Sequence, residues 1–204
     1  MWVATDDGLY RIEDEAPVPF APGDGLNLTA LLVDRNGNLW MATRASGVLR
    51  YDGKDQTRFV LQADPGLDGL ADNRAYALYE DGMGRVWAGT LSGASVYDGT
   101  AWKSYAAAEG LVDKRVTCFA EDQEGRLWIG TQGGASRFDG ERLENFTVEN
   151  GLVSDYVSAI SQDNDRRGNA RHPGGRELRT GPGKTPQRLP TSRPSIRAPF
   201  LVAD

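Results

Sequence analysis

The apolar positions of this chain fall in short runs bounded by polar, glycine-containing segments. The clearest run, Leu127-Trp128-Ile129-Gly130-Thr131, is apolar at successive rather than alternate positions. A strand covered on one side alternates, so a strand of this kind belongs to a sheet sandwiched between neighbours. The runs also recur: Trp87 and Trp128 are 41 residues apart, as are the Gly-Leu pairs starting at Gly69, Gly110 and Gly151.

Two full copies of the repeat superpose without a gap. One reads Gly69-Leu70, then Asp81-Gly82-Met83-Gly84-Arg85-Val86-Trp87-Ala88-Gly89-Thr90, then Tyr97-Asp98-Gly99. The other reads Gly110-Leu111, then Asp122-Gln123-Glu124-Gly125-Arg126-Leu127-Trp128-Ile129-Gly130-Thr131, then Phe138-Asp139-Gly140. An earlier copy carries Gly25-Leu26, Asp34-Arg35-Asn36-Gly37-Asn38-Leu39-Trp40-Met41-Ala42-Thr43 and Tyr51-Asp52-Gly53, with Trp40 placed 47 residues before Trp87. The excess lies in connections, one residue in the turn around Arg44–Gly47 and five between Phe59 and Gly69, where insertions leave strands intact. A partial copy opens the chain at Trp2-Val3-Ala4-Thr5 and Gly8-Leu9-Tyr10-Arg11, and another starts at Gly151.

Each landmark has a local physical reason. Asp at the first and Gly at the fourth position suit a type I turn, the carboxylate capping backbone N–H groups and the glycine accepting positive φ. Asp-Gly after Tyr51, Tyr97 and Phe138 suits a tight hairpin of type I′. Three such connections per repeat imply four short antiparallel strands, placed in the third copy near 115–121, 126–131, 134–138 and 143–147. Four-stranded sheets that recur at this period and are apolar on both faces stack radially as propeller blades. The expected fold is all-β: a partial β-propeller of about three to four four-stranded blades over residues 1–164, marked by Trp2, Trp40, Trp87 and Trp128. Trp128 is expected to fill an inter-blade space, with Gly130, Gly89 and Ala42 allowing close approach.

Composition narrows the function classes. The chain is 39% hydrophobic with 25 glycines, which suits a turn-rich globular protein. No run approaches the eighteen or so apolar residues of a membrane helix, and the start lacks the basic and apolar regions of a secretion signal. One cysteine, Cys118, and one histidine, His172, argue against disulfides, zinc and cofactor chemistry, so no metal or cofactor is expected. The net charge of −6 divides sharply: residues 1–164 carry 26 acidic and 14 basic side chains, and residues 165–204 carry 3 and 9. An acidic body repels phosphate backbones, so no nucleic acid is expected as a partner.

The motif Asp-x-x-Gly-x-[Leu/Val]-Trp-[Ile/Ala/Met]-[Gly/Ala]-Thr-x-x-Gly, followed by [Tyr/Phe]-Asp-Gly and then Gly-Leu, resembles the two-component regulator propeller repeat, over residues 1–169 or so. That resemblance implies the periplasmic or extracytoplasmic sensor region of a hybrid histidine kinase, often one that detects oligosaccharides. It further implies that additional blades, a membrane helix and the kinase belong to a parent protein. This chain carries no kinase motif and is expected to be non-catalytic.

After Asn169 the repeat calls for an apolar residue and then Trp, where Ala170 and Arg171 stand. Residues 165–204 hold eight arginines, six prolines and five glycines, a composition expected to be disordered. A change in mid-motif suggests a shifted coding frame near Asn169. The competing reading is a basic arm for nucleic acid or an anionic surface, which the lack of interleaved aromatics disfavours.

Among candidate sites, Asp34-Arg35-Asn36-Gly37-Asn38 superficially resembles a calcium loop, but Ala45 occupies the place of the required glutamate. Asp34, Asp81 and Asp122 are therefore read as turn caps. Glu80-Asp81 and Glu121-Asp122 recur with the repeat, which suits structure better than catalysis. Cys118 reads as a small apolar strand residue. The positions that vary are Arg74, Arg115 and Tyr156, five residues after each Gly-Leu glycine, with Asn73 and Lys114 beside them. Lying where loops lead into first strands, they are the expected ligand-binding group, an oligosaccharide being the expected ligand. Two other readings are a propeller enzyme of the streptogramin-lyase type, which needs a histidine or carboxylate cluster, and a protein-interaction scaffold. Three to four blades leave two apolar sheet faces open, so self-association is expected.

Overall fold

The computed structural model describes residues 1–62 and 69–162. Four antiparallel sheets follow one another along the chain. Sheet 1 contains β1 (Trp2–Ala4), β2 (Leu9–Glu13) and β3 (Ala16–Pro19). Sheet 2 contains β4 (Leu28–Val33), β5 (Leu39–Thr43), β6 (Val48–Tyr51) and β7 (Gln56–Phe59). Sheet 3 contains β8 (Ala75–Glu80), β9 (Val86–Thr90), β10 (Ala94–Tyr97) and β11 (Trp102–Tyr105). Sheet 4 contains β12 (Val116–Glu121), β13 (Leu127–Thr131), β14 (Gly134–Phe138) and β15 (Leu143–Phe146). In every sheet the spatial order is the chain order, so each is a simple meander. The strands expected in the third copy are found within one or two residues of their places, while sheet 1 has three strands rather than four among the described residues.

The Asp-x-x-Gly turns form as their chemistry dictates. Gly37, Gly84 and Gly125 each donate their N–H to the carbonyl of the aspartate three residues earlier at 2.9 Å, and all three take a positive φ of 74–83°. The Asp-Gly hairpins differ from the type I′ expectation. Asp52 and Asp55 close the first of them, leaving Gly53 and Lys54 as the loop, and only the glycine has positive φ, the pattern of type II′. The cause is the Asp52 carboxylate, which accepts the N–H groups of Lys54 and Asp55 and so fixes aspartate before the loop rather than within it. A type I′ geometry occurs instead between β2 and β3, where Asp14 and Glu15 both have positive φ.

The second strands β5 and β9 are buried on both faces, and their alternate residues serve different neighbours. In β5, Leu39 and Met41 pack towards sheet 1 with Leu9, Leu28 and Leu49. Trp40 and Ala42 pack towards sheet 3 with Val86, Ala88 and Trp102. In β9, Trp87 turns to sheet 4 and meets Leu127, Ile129 and Phe138. The hydrophobic core is therefore three successive inter-sheet layers, as the uninterrupted apolar strands require. Close approach needs glycine at Gly89 and Gly130, where a Cβ would lie 2.6 Å from Val116 Cγ1 and 2.5 Å from Cys118 Sγ respectively. Cys118 is half-buried in β12, and burial pushes its thiol pKa up.

The boundary at residue 164, the basic segment 165–204 and His172 lie outside the described residues. No helix among the described residues is long and apolar enough to cross a membrane.

Candidate functional site

The aspartates that open the first hairpins hold more than their turns. Oδ1 of Asp81 accepts the N–H groups of Met83 and Arg85, and Oδ2 accepts Arg85 Nε at 2.7 Å and the indole Nε1 of Trp87 at 2.8 Å. Asp34 does the same for Trp40 at 2.8 Å, and Asp122 for Trp128 at 3.0 Å. Burial alone would raise the Asp34 and Asp122 carboxyls, but the indole, side-chain and backbone donors together hold both below the ordinary value. Every oxygen is committed within its own repeat, which accounts for the aspartates without a metal. The adjacent glutamates reach elsewhere. Glu80 accepts the N–H and Nε of Arg35, and Glu121 accepts the N–H of Gly82. Each glutamate thus fastens the turn of the preceding sheet, and the repeated acidic pairs are structural.

This end of the molecule also bears a small cleft of about 50 Å³ lined by Asp81, Met83, Glu121, Phe138 and Asp139. It is far below the roughly 300 Å³ at which small-molecule pockets begin.

Arg74, Arg115 and Tyr156 lie at the opposite end. Arg74 immediately precedes β8 and Arg115 immediately precedes β12. Tyr156 precedes Val157, whose N–H reaches the Thr131 carbonyl as Leu28 N–H reaches Thr5. The first strands run side by side through a repeated device. β4 and β12 each carry a register shift one residue into the strand, which turns the threonine there to the next first strand. Thr29 Oγ1 thus donates to the Ala75 carbonyl and Thr117 Oγ1 to that of Val157. All three candidates therefore occupy equivalent positions, immediately before β8, immediately before β12 and immediately before Val157, and all three are exposed.

Their surroundings are ordered. Asp72 is 8% exposed and accepts the Arg74 N–H and Nε at 2.8 Å and Ser92 Oγ at 2.8 Å, besides pairing with Arg74 Nη2. The Arg74 guanidinium and these donors hold the Asp72 pKa down to about 2. A carboxylate with a lowered folded-state pKa adds stability that is complete above the usual range, about pH 4, and vanishes as pH falls through its folded value. Acid unfolding followed by fluorescence is therefore expected to lose stability between about pH 4 and 2, with Asp72→Asn flattening that limb. Arg115 donates Nη1 to Gln132 Oε1 at 2.7 Å.

Beside them, Asn73 Oδ1 accepts the Leu61 N–H at 2.7 Å and the Asn73 carbonyl accepts the Gly47 N–H at 2.8 Å. It anchors loops of sheet 2. Lys114 is exposed.

Sequence reading missed Asn27, the equivalent of Arg74 in sheet 2. Arg44 N–H donates to the Asn27 carbonyl as Leu91 N–H does to Arg74 and Gln132 N–H to Arg115. The signal was the 47-residue offset already set by Trp40 and Trp87; the landmark Gly25-Leu26 obscured it, because strand register places these two residues opposite Asp72 and Asn73 rather than Gly69 and Leu70.

Three segments, 23–45, 69–92 and 110–133, match the family model described as two component regulator propeller. A histidine kinase of Formosa agariphila is 39% identical over 59 residues, covering 28% of this chain and 4% of the kinase. Among solved structures, the extracellular domain of a candidate hybrid two component system of B. thetaiotaomicron aligns with a TM-score of 0.57 at 19% identity, over 80% of this chain and 29% of that one. PorZ, a surface component of the type-IX secretion system of Porphyromonas gingivalis, gives 0.59 at 19% identity over 80% and 28%. A catalytically inactive virginiamycin B lyase from Staphylococcus aureus gives 0.55 at 14% identity over 70% and 49%. At these identities the structural likenesses speak to fold alone. The chain spans less than a third of the two first-named structures and a small part of the kinase.

Proposed function

We propose, for a chain whose three repeats match the two component regulator propeller model, a ligand-sensing role outside the cytoplasm, in the periplasm, with carbohydrate as the ligand class and the signal passed to a histidine kinase in the parent protein. The observation that carries this reading is the equivalent placement of Arg74, Arg115 and Tyr156, just before β8, just before β12 and just before Val157, whose carbonyl accepts the Thr117 hydroxyl. Two guanidinium groups, held by Asp72 and Gln132, and an exposed phenol at equivalent positions offer planar donors and an aromatic face, which suit hydroxyl- and carboxylate-bearing sugars. Lys114 adds a cation beside them. Sensing then requires that the ligand bind two arrangements of the propeller with different affinity. The protein does no chemistry of its own in this reading.

The lyase reading shares only the fold likeness, and the committed carboxylates of Asp34, Asp81 and Asp122 leave it no general base among them. Titration of the chain with neutral and uronic-acid oligosaccharides tests the proposal. Binding of the acidic series, weakened at least tenfold in Arg74→Ala/Arg115→Ala at a temperature where far-ultraviolet circular dichroism shows both proteins folded, is the expected result. Equal affinity in both proteins, or no binding to either series, overturns it.

A further inference from the structure

We infer that a second copy of this chain docks head to tail on the first, residues 157–162 of one copy pairing with β1 of the other to complete its sheet 1. The inference is independent of the ligand proposed above. It concerns this 204-residue chain, and further blades in a longer polypeptide would occupy the same two surfaces.

The two parts are complementary by position. Strand β1 is a second strand of its repeat: Thr5 Oγ1 donates to the Gly8 carbonyl as Thr43, Thr90 and Thr131 do to Gly47, Gly93 and Gly134. Sheet 1 therefore holds second, third and fourth strands, and the edge of β1 that a first strand would cover is unpaired among the described residues. Residues 157–162 are the converse. The Val157 contacts to Thr131 and Thr117 place them as a first strand against sheet 4, and the sequence beyond them loses the Trp and [Tyr/Phe]-Asp-Gly landmarks that a second and third strand would bring. An unpaired strand edge is a template for another chain.

The register follows from sheet 4, where Cys118, Phe119 and Ala120 pair with Gly130, Ile129 and Trp128. Carried by one repeat, Ala159 meets Ala4, Ile160 meets Val3 and Ser161 meets Trp2 of the second copy. The faces agree as well. Trp87 is covered by Ile129 and Phe138 of the following sheet, whereas Trp128 stacks on Phe146 of its own sheet at 5.1 Å and has no following sheet among the described residues. The equivalents on the outer face of sheet 1 are Val3 and Ile12, and Val3 is 38% exposed. Trp128 of one copy and Val3 and Ile12 of the other form a junction of the same composition as the interior ones. Each copy contributes four sheets, so two copies reach about eight blades, within the range in which propellers close.

Single-cysteine variants built on Cys118→Ser test the docking. Val3→Cys and Ile160→Cys, mixed and oxidised, are expected to give a cross-linked species of twice the 22.2 kDa chain mass, while either variant alone gives none. Ala4→Cys with Ala159→Cys serves as a second pair, each variant first shown to keep the sedimentation of its Cys118→Ser parent. Sedimentation of the unmodified chain is expected to show two copies. A monomer at every concentration, a mixture without cross-link for both pairs, or a cross-link within one chain carrying both cysteines overturns the inference.

Discussion

Trp87→Ala is expected to destabilise the chain by about 3–5 kcal/mol, read as a lowered urea midpoint at fixed protein concentration. The indole is fully buried and lies between its own sheet and the next, with Tyr105 stacked at 5.7 Å and Phe138 edge-on at 5.8 Å. Removing it opens a cavity in a layer that two sheets share and also strips Asp81 of its indole donor. Since domains of this size hold roughly 5–15 kcal/mol in all, the variant gives up about a fifth of the total or more. At protein concentrations low enough to keep the chain as single copies, Trp128→Ala is expected to lose less, under about 2 kcal/mol, because that indole is only partly buried there. Equal losses from the two under those conditions would mean that sheets do not stack as described.

Asp81→Ala is expected to cost about 2–4 kcal/mol, made up of roughly 1–3 for a buried indole N–H left unsatisfied and about 1 for the lost turn cap. Asp81 is 3% exposed. Asparagine is no remedy: its amide presents N–H either to the Trp87 indole and Arg85 or to the two backbone donors, and both sides already donate. Asp98→Asn provides the contrast. Asp98 is exposed, and its Oδ1 accepts only from Thr100 and Ala101, a role that the asparagine carbonyl fills. Its urea midpoint is expected to stay close to that of the unmodified chain.

Strand places were legible in the sequence because each apolar run ends at a residue with one conformational use, a left-handed glycine or a capping aspartate. The Asp–indole bond was present too, as the constant spacing of Asp34 to Trp40, Asp81 to Trp87 and Asp122 to Trp128. It went unread because a turn cap already explained the aspartate. The reach of Glu80 and Glu121 to the preceding turn was not legible, since it depends on the relative height of neighbouring sheets. The place of Asn27 was hidden by a loop of different length. Of the candidate site, position and exposure were legible for Arg74, Arg115 and Tyr156. The anchoring work of Asn73 was not, because its partners Leu61 and Gly47 are distant in sequence.

Equivalent tryptophans hold equivalent indole–aspartate bonds in successive stacked sheets. Nitrogen-15 spectra of the indole groups test this directly. The Nε1–H groups of Trp40, Trp87 and Trp128 are expected to exchange slowly with solvent, and Asp34→Asn, Asp81→Asn and Asp122→Asn to shift one resonance each, that of the tryptophan six residues on. Fast exchange at all three, or a substitution that moves the wrong indole, would contradict it.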